Sequence, residues 1–262
     1  MSRFLVSAAL LFLFTPGLTV AGPPPDLRGI SYDQRPGNRL PLSATLRDDN
    51  GKLVQLAALI DGKPLILDLG YFHCPALCGI VRADLLRALT RSNLVAGRDY
   101  TLVSLSIDPA ETPQDAAAAK RGDLARFRAA GADQGWHFMT GTAAAIKTIA
   151  DAVGFRERFD PQLKQFLHPT GIVFATPTGV ISNYLLGVGY QTNDIELALT
   201  RARKGSIASA ALPVLLLCFD YDASTGRYTL AILKLLRLGG AITVLTLGFT
   251  LWLAFRRDRS PA

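Results

Sequence analysis

Two cysteines four residues apart, Cys74 and Cys78, stand in the run Gly70-Tyr71-Phe72-His73-Cys74-Pro75-Ala76-Leu77-Cys78, directly after the apolar segment Leu65-Ile66-Leu67-Asp68-Leu69. If a helix starts at or just after Cys74, this spacing stacks both sulfurs on one helical face. There, unsatisfied N–H groups and the positive end of the helix dipole favour thiolate. Helical Cα atoms at this spacing lie about 6 Å apart, inside the disulfide range, so the pair can be oxidised or can hold a soft metal. A purely structural disulfide is the weaker explanation, because closing so short a loop stabilises almost nothing. Pro75 costs no hydrogen bond in a first helical turn. Two thiolates and one imidazole suit Cu(I), and thiolates also engage Cu(II). Tetrahedral zinc would want a fourth ligand that no second cysteine pair supplies, and without CxxCH covalent haem attachment has no support.

The elements that must position these residues alternate in type. Leu65–Leu69 reads as a buried strand, 78–92 as a helix with Ile80, Val81, Leu85, Leu86 and Leu89 on one face, and 100–107 as a second strand. A helix over 114–130 follows the cap and first-turn pair Thr112-Pro113, then come a short strand at 136–138 and a helix from Thr142 to Val153. Strands at 171–175 and 180–185 flank the turn Pro177-Thr178-Gly179, and 193–203 forms a last helix. Ahead of these, Asp48-Asp49-Asn50-Gly51 predicts a hairpin within 42–59, laid against the domain edge. The pattern implies an α/β domain over 42–203, a mixed sheet covered on both faces.

A cysteine pair where the first central strand meets its helix occupies the position that thioredoxin-like folds use for chemistry. In such a sheet the loop entering the strand His168-Pro169-Thr170-Gly171-Ile172-Val173-Phe174 lies beside the cysteine-bearing helix, which makes His168 the natural third ligand. His73, if it ends a strand, points away from Cys74 and is read as a supporting residue or bystander. His137, in Gly135-Trp136-His137-Phe138, reads as a structurally satisfied histidine.

The 262 residues suit one domain plus appendages, and a core of that size needs no covalent staples. Arg3, the apolar run 4–14, Pro16-Gly17 and Thr19-Val20-Ala21 have the layout of a secretory signal over 1–21, with an uncleaved anchor as the alternative. Residues 22–41, with three consecutive prolines, read as an arm with little regular structure, and 204–237 as a linker and membrane-proximal segment. Leu238 to Phe255 carries no charge and, at about 27 Å as a helix, is just long enough to span a bilayer. Export followed by this span puts the folded domain outside the membrane and 256–262 in the cytoplasm. Arginine and lysine counts on the two flanks do not decide the orientation.

The formal charge of +7 shrinks when Arg3, Arg256, Arg257, Arg259 and Asp258 are set aside, leaving 24 basic against 20 acidic residues. No basic run tracks a phosphate backbone, so nucleic acid is excluded as an expected partner. In an oxidising compartment three cysteines leave one over. That one, Cys218 in Leu215-Leu216-Leu217-Cys218-Phe219, reads as a small buried hydrophobe or as a resolving thiol or extra ligand.

The order and spacing of Gly70 to Cys78, Asp108-Pro109-Ala110-Glu111-Thr112-Pro113, and His168 followed by Pro177-Thr178-Gly179 resemble the Sco/SenC family. That family comprises thioredoxin-like, membrane-tethered copper proteins that help assemble the CuA centre of cytochrome c oxidase subunit II. The resemblance covers about 42–203. It implies that Cys74, Cys78 and His168 bind copper, that the two thiols cycle with a Cys74–Cys78 disulfide, and that subunit II or another copper acceptor is the partner. A thiol-disulfide reductase that keeps an acceptor's cysteines reduced is the enzymatic alternative, while the absence of Thr-x-x-Cys, with Tyr71 in place of the threonine, argues against a peroxidase. Asp108 is expected either to support the site through hydrogen bonds or to serve as a helix-entry turn residue. Two departures stand out. Leu167 occupies the place before the histidine where the family commonly has an acid, and the tether is C-terminal where the family's is N-terminal. The expected location is a bacterial cell membrane, with a single span and the domain on the periplasmic side.

Overall fold

The computed structural model describes residues 28–74 and 78–210, together with 239, 240, 242–247, 249 and 250, and leaves the Cys78 side chain outside that description. In chain order the elements are β1 (Ser31–Tyr32), β2 (Thr45–Arg47), β3 (Leu53–Gln55), α1 (Leu56–Ile60), β4 (Leu65–Gly70), α2 (Cys78–Arg91), β5 (Thr101–Ser106) and α3 (Pro113–Arg126). They continue with α4 (Ala132–Gly135), β6 (Trp136–Met139), α5 (Ala143–Val153), β7 (Phe155–Arg156), β8 (Arg158–Asp160), β9 (Gln165–Leu167), β10 (Gly171–Ala175), β11 (Ile181–Leu186) and α6 (Thr192–Arg203).

Five strands form the central sheet in the order β11-β10-β4-β5-β6. β4, β5 and β6 run parallel, whereas β10 is antiparallel to both β4 and β11. Strands in the middle of such a sheet are covered on both sides and read as near-continuous apolar runs; β5 is buried at every position and β4 at all but its last residue.

Alternation along the strands sorts the core into two halves. Leu65, Leu67, Leu69, Val103, Leu105 and Val173 meet α1, α5 and the β2–β3 hairpin on one face. Ile66, Leu102, Phe138, Ile172 and Phe174 meet α2, α3, α4 and α6 on the other.

Local chemistry sets the element ends. Thr112 and Asp115 form a reciprocal capping box at the start of α3 with Pro113 in its first turn, and Thr142 caps α5 through the Ala145 N–H. Gly154 ends α5 in the left-handed conformation, where a Cβ would sit 1.9 Å from the Asp33 carbonyl oxygen.

Several expectations need correction. Ile80 is not on the buried face of α2 but 40% exposed, since it lies about 140° round the helix from Leu85. The helix expected to reach residue 130 stops at Arg126, where Phe127 turns extended and enters the core. His168 does not open a central strand, because β10 begins at Gly171 and His168 follows β9. The β8–β9 hairpin and the β1–β7 pair were not anticipated, being two- or three-residue strands too short to show a period.

The signal read at 1–21 and Cys218 lie outside the described residues. The span read at 238–255 is described only in part, as helix at 239–240, 242–247 and 249–250, and among the described residues no helix is long and apolar enough to cross a membrane.

Candidate metal and redox site

β4 delivers its last residue, Gly70, to the carboxyl edge of the sheet, and Tyr71 to Cys74 follow as an irregular segment. α2 is described from Cys78, so the expected one-face stacking of the two sulfurs rests on residues 75–77, outside the description. Cys74 is half-buried and packs against the half of the core that contains Tyr71.

His168 arrives at the same edge because β10 pairs with β4, with Ile172 opposite Asp68. Its ring lies edge-on to Tyr71, centroids 6.0 Å apart, and against Phe155 at 5.7 Å, and the residue is 2% exposed. Its Nδ1 is 2.9 Å from the Pro169 carbonyl oxygen. A carbonyl only accepts, so Nδ1 carries the hydrogen, and in the neutral ring Nε2 is then the nitrogen with the lone pair through which imidazole binds a metal.

The segment before Cys74 is held by a residue that the sequence singled out only as part of a motif. Glu111, on the β5–α3 loop, accepts hydrogen bonds from the backbone N–H of Phe72 (2.8 Å) and of His73 (2.7 Å) and from the Ser106 hydroxyl (2.6 Å). Its side chain is 5% exposed, whereas His73, whose Nδ1 lies 3.1 Å from the same carboxylate and Nε2 3.6 Å from Asp115, is largely in solvent. His73 is therefore a surface partner of two carboxylates.

Asp108 proves to be a turn residue: its carboxylate accepts from the Ala110 N–H at 2.8 Å and its carbonyl from the Glu111 N–H at 3.2 Å. His137 is half-buried on β6, distant in the sheet order from β10, and burial with Lys120 nearby pushes its pKa down.

A second clamp fixes the start of α2. Arg82, one turn past Cys78, donates to the Asp123 carboxylate of α3 at 2.6 Å, with its guanidinium 5.6 Å from the Phe72 ring centre and 5.9 Å from that of Phe138. This ties α2, α3 and the cysteine segment together through one cation. Behind it, Asp68 is buried on β4 and accepts from Ser104 at 2.9 Å. Burial pushes its carboxyl above the usual range, against the pull of Arg82 and, more weakly, His168.

Among the described residues no three His, Cys, Asp or Glu side chains form a metal-binding group, and the Cys78 side chain is not among those described. The fold thus brings His168, Tyr71 and the Cys74 segment to one edge and leaves His73 and His137 outside that grouping.

The sequence profile of the SCO1/SenC family matches residues 34–200. No curated protein sequence matches the chain. Among solved structures, a candidate electron transfer protein from Aquifex aeolicus VF5 is similar at 29% identity and a TM-score of 0.58, over 65% of this chain and 95% of its own. A SCO1/SenC family lipoprotein from Bacillus anthracis str. Ames shares the fold at 18% identity and a TM-score of 0.52, over 64% of this chain and 97% of its own. Arabidopsis thaliana ScoI, solved with copper bound, does so at 20% identity and 0.50, over 64% and 98%. With a thioredoxin-like sheet that sets His168 beside the cysteine segment, and a family profile spanning well over half its length, the chain belongs to the SCO1/SenC family.

Proposed function

We propose that this protein is a membrane-tethered copper metallochaperone in which Cys74 and Cys78, as thiolates, and His168, through Nε2, hold one copper ion. The ion passes by stepwise ligand exchange to an acceptor, the CuA site of cytochrome c oxidase subunit II. The observation that carries this reading is the placement of His168: a buried imidazole with its tautomer set by the Pro169 carbonyl, at the sheet edge from which the Cys74 segment leaves. A soft ion on two thiolates and an imidazole fits the donor chemistry, and Arabidopsis ScoI with this fold carries copper. Tethering through the span at 238–255, after export directed by 1–21, places the domain on the periplasmic side of a bacterial membrane.

Binding needs deprotonated thiols, so affinity falls as pH falls. Copper titration of the reduced and oxidised chain tests the reading. One equivalent bound only by the reduced form, with strong loss in Cys74→Ser, Cys78→Ser and His168→Ala, is expected. Equal binding by the oxidised form, or full affinity in His168→Ala, would overturn it.

A thiol-disulfide reductase is the second reading, favoured by Cys78 being the first described residue of α2. One thiolate attacks the partner's disulfide and releases a partner thiolate. The other then displaces the second, leaving Cys74–Cys78 oxidised and the partner reduced by two electrons. This activity requires both cysteines and survives loss of His168.

A further inference from the structure

The β8–β9 hairpin runs directly into His168, and its register says what stands across from that residue. Arg158 is opposite Leu167, Phe159 opposite Phe166, and Asp160 opposite Gln165. The paired strands end at Arg158 and Leu167; carried one step past them, the same register would bring Glu157 opposite His168.

Residues directly opposite share a face and have Cβ atoms about 5 Å apart, and residues two apart along a strand share that face too. Ring contacts bear out both rules here. Phe159 and Phe166 pack edge to face at 5.2 Å across the ladder. Phe166 and His168, two apart, both lie against Tyr71 at 6.0 Å. On β7, Phe155, two residues before Glu157, lies against the His168 ring at 5.7 Å. Glu157 is thus flanked in sequence by two aromatic residues that belong to the His168 cluster.

Glu157 is half-buried, and burial raises its carboxyl above the ordinary glutamate range, while a hydrogen bond from its own backbone N–H, then Lys147 and, most weakly, His168 draw it back. Leu167 cannot supply a charge, and it is itself buried at 1% exposure.

We infer that Glu157, set across the ladder from the His168 imidazole, places a negative charge near it that favours cation binding there, and favours Cu(II) over Cu(I). The inference rests on the copper reading for its cargo, while the pairing of Glu157 with His168 stands on the register. For an assumed separation of about 8 Å and an effective dielectric of about 60, one charge is worth about threefold in affinity for a monovalent ion and about tenfold for a divalent one.

The test uses the full chain as wild type, Glu157→Gln and Glu157→Asp. Competition titrations with chelators should show Cu(I) binding weakened about threefold and Cu(II) binding about tenfold in Glu157→Gln, with most of the difference restored in Glu157→Asp. Equal losses for both ions, or changes within twofold for both, would overturn the inference. In the metal-free chain the ring resonances of His168 should shift in Glu157→Gln and move back in Glu157→Asp. Resonances unchanged from wild type would refute the pairing whatever copper does, whereas a shift in a chain that fails to bind copper would uphold the pairing and sink the chaperone reading.

Discussion

Replacing Glu111 should loosen the cysteine segment more than any change at its exposed neighbours. The carboxylate takes three donors, the N–H groups of Phe72 and His73 and the Ser106 hydroxyl, at 2.6 to 2.8 Å. Hydrogen bonds to a charged acceptor contribute roughly 1.5–3 kcal/mol each, but the two backbone donors are only partly buried and water recovers part of their loss. Glu111→Ala should therefore cost about 2–4 kcal/mol. Glu111→Gln keeps one acceptor oxygen and turns an NH2 group toward the remaining donors, for about 1–2 kcal/mol.

Urea unfolding reads the total, with an unchanged slope showing that the denatured state is not responsible. Amide exchange reads the locality: the Phe72 and His73 protons should lose more protection than the strands of the central sheet. Because Cys74 follows this turn directly, copper affinity should fall in parallel. A Glu111→Ala protein within about 0.5 kcal/mol of wild type, with those two amides still protected, would refute the clamp.

Asp68→Asn should stabilise the fold near neutral pH. Since burial raises the folded carboxyl above 3.8, its contribution is fully present below that value and is lost as pH rises through the folded pKa, so the variant's advantage in urea should vanish on acidification toward pH 3.8. Tyr100→Phe removes the acceptor of the buried Trp136 indole N–H, 3.0 Å away, and should cost about 1–3 kcal/mol by thermal or urea unfolding. Gly154→Ala combines a left-handed backbone with a Cβ driven into the Asp33 carbonyl and should cost at least about 2 kcal/mol, read as a lower melting temperature. His73→Ala removes a ring that is largely in solvent from Glu111 and Asp115 and should stay within about 0.5 kcal/mol of wild type.

The fold was legible wherever burial repeats with a period. β4 and β10 show as apolar runs and β5 and β11 as apolar stretches interrupted by serine or asparagine, while α3 and α5 follow Thr112 and Thr142, whose hydroxyls cap them. The β8–β9 hairpin was not legible, because three-residue strands with Phe159 exposed offer no apolar alternation to detect. That omission misplaced His168 in the reading, as the first residue of a central strand. It is the residue that leaves one hairpin before entering another strand pair.

The residues that hold the site were hidden for a different reason. Glu111 meets Phe72 across 39 residues of chain and Arg82 meets Asp123 across 41; polar contacts at such separations leave no local pattern. The one charge missing from the sequence pattern is the acid replaced by Leu167, next to His168 along the strand. Successive side chains on a strand point to opposite faces, so a carboxylate at 167 would start from the face away from the imidazole. The opposing strand presents its residue on the same face, a shorter route for an electrostatic contact. A leucine at 167, buried on its own face, is therefore compatible with a charged environment for His168, provided the charge comes from across the hairpin, as inferred for Glu157.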